Sequence, residues 1–134
     1  MSNPTYSAVI YVQNDSDFSF PAAVEACRLS KGLSASRIEA TSDKGIEIYF
    51  NDWCLRVGLE DEPYVAEENR EFAEASPEYP HAQEIALCQR RISVWSREAD
   101  PNMDHFNDYL LTVETLIKPF RGLIAIDKAS DEPM

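Results

Sequence analysis

The stretch RIEATSDKGIEIYFNDWCLRVGLE, residues 37–60, decides the fold. Apolar and polar residues alternate through it with a period of two, the signature of strands that bury one face. Residues 37–41 form a first strand, Ser42-Asp43-Lys44-Gly45 a tight turn, and residues 46–50 a second strand. Asn51-Asp52 makes another tight turn before a third strand over residues 53–60. Gly, Asn and Asp at such points accept the backbone angles that hairpin turns impose. Ile46, Ile48 and Phe50 point to one side, joined by Leu55, Val57 and Leu59, while Glu47, Tyr49 and Arg56 fall on a wetter side. This is an antiparallel meander.

Toward the N-terminus, residues 6–13 read as a short, largely apolar strand of the kind found at the centre of a sheet. The polar cluster at residues 14–17 turns the chain. Ser19 can then cap a helix over residues 20–31, whose first turn holds Pro21, where a missing N–H costs nothing. Gly32 is its natural stop. Toward the C-terminus, Val65, Asn69, Phe72 and Ala73 trace a narrow helical stripe through residues 63–75, and Pro77 and Pro80 break it. A second helical piece spans residues 81–89, and residues 92–95 are a strand ended by Asp100-Pro101. From Asn102 or Asp104 runs the clearest helix, with Phe106, Tyr109, Leu110, Val113, Leu116 and Ile117 at core spacing. Residues 123–126 are a last short strand, and residues 128–134 read as a frayed polar tail. The expected order is β-α-β-β-β-α-(α)-β-α-β. That is one α+β domain over residues 1–134, a mostly antiparallel sheet with helices packed on one face.

The 134 residues include 24 Asp and Glu against 12 Lys and Arg, a net charge of −12. That balance argues against nucleic acid, whose phosphates need Lys and Arg to displace counterions, and against anionic membrane surfaces. The polar start and the five-residue apolar run at 8–12 lack a secretory pattern, and no window reaches the length of a membrane helix. Cys27, Cys54 and Cys88 are odd in number and without a CxxC pair, as expected of core thiols in a cytoplasmic protein.

No phosphate loop, dinucleotide fingerprint, nucleophile elbow or zinc-protease motif occurs among only four glycines. His81 follows Pro80 in an acidic loop, and His105 follows Asp104 at a helix start; neither is placed by spacing beside a nucleophile. Asp100, Asp104 and Asp108 recur every four residues, yet the segment lacks the alternating oxygens and central glycine of a calcium loop. Carboxylates there suit a helix N-terminus, whose dipole end is positive. The expectation is no enzyme, no cofactor and no metal.

The charge is uneven. Residues 60–84 hold nine acidic groups and only Arg70, a net −8. Like charges three and four residues apart on a helix destabilise it, so the residues kept there point either to a solvated face that serves solubility or to recognition of a basic protein. The expected contact surface is Glu60, Asp61, Glu62, Glu67, Glu68, Glu71, Glu74 and Glu78, with Tyr64 and Tyr79 as aromatic contacts. Phe72 and Trp95 are further aromatic candidates, Phe72 the better suited to packing. In size and in this acidic segment the chain resembles small bacterial immunity proteins, which neutralise a cognate toxin by covering its active site. That resemblance implies a cytoplasmic protein paired with a toxin of basic surface. Two other classes fit the same residues. One is a nucleic-acid mimic of the phage-inhibitor kind; the other is a small ligand-binding or enzymatic domain whose polar groups converge at Glu47, Tyr49 and Arg56.

Overall fold

A computed structural model describes residues 5–130 and 132–134. Residues 1–4 and Asp131, the latter within the segment expected to fray, lie outside the described residues. The chain forms β1 (Ser7–Val12), α1 (Phe20–Leu29), β2 (Arg37–Ser42), β3 (Gly45–Phe50), β4 (Trp53–Glu60) and α2 (Pro63–Ala75). These are followed by α3 (Ala82–Ala86), β5 (Arg90–Ser96), α4 (Phe106–Ile117), β6 (Leu123–Asp127) and β7 (Glu132–Pro133). The α+β class is the expected one, with β7 added. The segment 128–130 makes a turn: Asp127 accepts from the Ser130 backbone N–H and hydroxyl, and Glu132 and Pro133 then pair with β6.

One antiparallel sheet carries all seven strands in the order β2-β3-β4-β5-β1-β6-β7. The meander supplies one half, and β1 sits inside the sheet between β5 and β6. The Ser42–Gly45 pair closes the first hairpin, with the Ser42 hydroxyl accepting from the Lys44 N–H. Ser19 accepts from the Ala22 N–H at the start of α1, and Pro21 lies in its first turn. The helix stops at Leu29, three residues before Gly32.

Helices cover both faces of the sheet, where the sequence led to one. Ala8, Ile10 and Val12 of β1 join Ile48, Leu55, Ile92 and Val94 in a core closed by α1 and α4. Tyr11, with Val9 beside it, points the other way into a second, smaller cluster with Ile85, Cys88, Ile126 and Phe72. A central strand apolar on both sides needs a lid on each, and α2 with α3 is the second lid. In α4 the buried residues are Tyr109, Thr112, Val113 and Leu116. Leu110, expected in the core, is 37% exposed, because the buried stripe is centred on Tyr109, Thr112, Val113 and Leu116 and leaves position 110 beyond its edge; the Thr112 hydroxyl donates to the Asp108 carbonyl. No helix among the described residues is long and apolar enough to cross a membrane.

The loop between β5 and α4 is tied down by one buried carboxylate. Asp100 accepts from the Tyr6 hydroxyl at 2.7 Å and from the backbone N–H groups of His105 at 2.8 Å and Asp104 at 3.1 Å. Burial, then the bond to Asp100, pushes the Tyr6 hydroxyl far above the usual tyrosine range. Met103, at positive φ, and the His105 ring, stacked on Trp53 at 4.6 Å, complete the loop. At Gly122, φ is +75° and a Cβ would stand 3.1 Å from Ser16, so only glycine lets the loops meet. Asp100→Ala strands the buried Tyr6 hydroxyl and two N–H groups, and should lower the unfolding free energy by about 1–3 kcal/mol in urea denaturation. Asp100→Asn should recover part of this; equal losses in the two variants would show that acceptor geometry is not what holds the loop.

Candidate acidic binding surface

α2 forms where the sequence places it, with Pro63 at its first turn and Val65, Asn69 and Ala73 buried at four-residue spacing. Phe72 is half-buried against Tyr11, with ring centroids 6.1 Å apart. The polar side of α2 faces solvent. The inward position held by Asn69 is answered from β5 and from the segment that leads into it. Its side-chain N–H donates to the Cys88 carbonyl at 2.9 Å, and its oxygen accepts from Arg91 at 3.3 Å.

Arg91 is the centre of this arrangement, its side chain only 16% exposed. Its guanidinium donates to Glu60 at 3.1 Å, to Glu68 and to Asn69, so one planar fork ties β4, β5 and α2 together. Glu60 also accepts from the Ser93 and Tyr64 hydroxyls. Burial alone would raise the Glu60 carboxyl, but the bonds from Ser93 and Arg91 and the Arg91 charge bring it below its ordinary value of 4.5. The Tyr64 hydroxyl is raised, chiefly by the Glu60 charge.

The residues expected to form a contact surface therefore divide. Glu60 and Glu68 are held by Arg91, and Asp61 pairs with Lys44 at 2.8 Å. Tyr79 is half-buried, edge-on to Phe72 at 5.7 Å. Tyr64 is 49% exposed. Glu62, Glu67, Glu71, Glu74 and Glu78 are exposed, and none lies within 4 Å of a cation among the described residues. Glu62 precedes the positive end of the helix dipole, whereas Glu71 and Glu74 lie toward its negative end, whose last turn holds no basic residue of its own; Lys128 stands there from the neighbouring turn, its Nζ 4.4 Å over the Phe72 ring. What the sequence did not single out was Arg91. The signals were a polar Asn69 inside an apolar stripe and an arginine alternating with Ile92 and Val94.

The remaining candidates have structural occupations. His105 lies flat on Trp53 with its Nδ1 2.9 Å from Asp108, and His81 heads α3 4.0 Å from Glu84. Among the described residues no three His, Cys, Asp or Glu side chains group to hold a metal ion. The three cysteines are buried, and burial pushes the Cys27 and Cys88 thiols up to about 11, which keeps them protonated and unreactive. On the open sheet face Glu47, Tyr49 and Arg56 do converge, but on one another. Glu47 takes Arg56 at 3.0 Å, Arg97 at 3.9 Å and the Tyr49 hydroxyl at 3.2 Å. Beside them Trp95, 37% exposed, stands by Gly58, bordering shallow cavities of about 190 and 490 Å³.

Arg91→Met leaves Glu60 half-buried without a counter-charge and should cost about 2–4 kcal/mol of stability at neutral pH. Because the folded Glu60 carboxyl titrates below 4.5, its contribution is complete above that pH and is lost as the pH falls through the folded value. Glu60→Gln should therefore show a flatter stability profile than wild type just below pH 4.5 in urea titrations. Parallel profiles would exclude Glu60 from the acid limb.

Comparison with protein-family models, with curated proteins and with solved structures finds no match.

Proposed function

We propose that this chain is a binding protein that recognises a basic partner through the outer side of α2, in the manner of a cytoplasmic immunity protein that neutralises a cognate toxin. The observation that carries this reading is the set of exposed carboxylates Glu67, Glu71, Glu74 and Glu78, in no ion pair among the described residues, presented along and just beyond a helix whose inner side is locked by Arg91. Such a surface is rigid before contact, so little conformational entropy is lost in ordering it. Its field accelerates encounter with a cationic cleft and disfavours acidic competitors. Tyr64, exposed at the start of the helix with its hydroxyl on Glu60, supplies an aromatic contact whose rotamer is already restrained. Within the helix, Glu67, Glu71 and Glu74 oppose its stability by mutual repulsion, and Glu74 also by its place at the negative end of the dipole, a disadvantage that a binding role accounts for.

The test separates steering from folding. With the partner recovered by co-purification from the native operon, Glu67→Lys, Glu71→Lys and Glu74→Lys combined should slow association at low salt at least tenfold and flatten its salt dependence. Glu68 is left intact, since it belongs to the Arg91 network. Glu74→Lys alone should raise the unfolding free energy by a few tenths of a kcal/mol, roughly the value of relieving one like-charge pair and the dipole end. An association rate unchanged by the triple reversal, in a protein that is still folded, would overturn the proposal. A partner that is itself a nucleic-acid enzyme of another genome would assign the surface to a nucleic-acid mimic.

A further inference from the structure

On the opposite face of the sheet from α2, a groove of about 460 Å³ runs between α4 and the returning chain end at β7. One wall is a stripe of α4 at the edge of the core, with Phe106 and Ile117 half-buried, Val113 buried and Leu110 exposed, spaced by three or four residues so that they stack along the helix. Pro133 and Met134 form the other wall. Leu110 at 37% and Met134 at 40% exposure leave this apolar surface open to water.

The groove is preformed. At its floor the Tyr109 hydroxyl donates to Asp127 at 2.7 Å, and the other Asp127 oxygen accepts from the Ser130 backbone N–H and hydroxyl. The Met134 N–H donates to the Ala125 carbonyl at 2.9 Å, which holds the second wall against β6. The charge lining the groove has one sign: Glu114, Asp127 and Glu132 reach it, and no Lys, Arg or His does among the described residues. None of the three is in an ion pair with a described cation.

An apolar slot with a carboxylate rim complements a molecule that is apolar in body and positive at one end. The volume matches one small ligand, since such pockets run from about 300 to 1,000 Å³. A protein interface needs a far broader patch, on the order of 1,000 Å² or more. We propose that the α4–β7 groove binds a small organic cation, an aromatic or branched hydrocarbon body carrying a protonated amine. The body lies between the α4 stripe and Met134, and the ammonium meets the Glu114 and Glu132 carboxylates at the rim. Asp127, held by Tyr109 and Ser130, keeps the turn in place and adds its charge from below. This site is independent of the α2 surface and stands or falls without it.

Tryptamine and phenethylamine, with indole-3-acetate and 3-phenylpropionate as anionic counterparts of like body, are titrated into the ¹⁵N-labelled full chain at neutral pH. Both amines should give saturable amide shifts confined to α4 and residues 125–134, and the two acids should bind about tenfold more weakly or not at all. Glu114→Gln with Glu132→Gln should weaken the amines about fivefold to tenfold and narrow their advantage over the acids. Leu110→Ser, at an exposed position where the fold is not at stake, should weaken amine and acid alike. Absence of saturable shifts with both amines at millimolar concentration would overturn the proposal. So would shifts centred on α2, or amines and acids binding equally well.

Discussion

β1 is apolar on both of its faces and lies inside the sheet, and this constraint organises the molecule. Ala8, Ile10 and Val12 demand one cover, and Val9 and Tyr11 demand another. Burying Tyr11 and a neighbouring aliphatic row removes several kcal/mol worth of apolar surface from water, more than a short polar helix gains from its own hydrogen bonds. α2 and α3 therefore sit where they do because β1, β5 and β6 need them. The highly acidic helix is held to the protein by its few apolar residues and by Arg91, which takes Glu68 and Asn69, and its other carboxylates are turned outward.

Where α2 meets the sheet, one cation settles the electrostatics. Arg91 emerges from β5 between the buried Ile92 and the strand end, and its planar head meets two carboxylates and an amide at once. A lysine offers no such fork. The network converts part of the acidic segment into structure and leaves the rest as surface, a division that net charge alone does not reveal. It also separates the residues whose substitution tests binding from those whose substitution tests folding.

Two surfaces of different character result, on opposite faces of one sheet. The α2 side is charged, with Glu67, Glu71 and Glu74 exposed along the helix. The α4–β7 side is apolar and concave with a carboxylate rim, suited to short-range contact with a small molecule. On the same face of the sheet as α2, the uncovered part of the meander pairs Glu47 with Arg56 and Arg97 and holds Trp95 beside Gly58. The character of each surface follows from which carboxylates meet a cation among the described residues and which do not.

The local pattern determined much by itself. Alternation over residues 37–60 gave three strands within a residue of their observed bounds, and the Val65-Asn69-Phe72-Ala73 stripe gave α2 and its inner side. Period and turn chemistry act between neighbours, so they can be read along the chain. The tertiary structure alone decided which acidic residues are free. It brought Arg91 to Glu60 and Glu68 across 31 and 23 positions, and returned the chain end to make a wall for α4. It placed the second pair of helices on the far face of the sheet. Those outcomes depend on which residues strand pairing makes adjacent, and that adjacency carries no signal in local spacing. A carboxylate's role is set by the cation that folding places beside it.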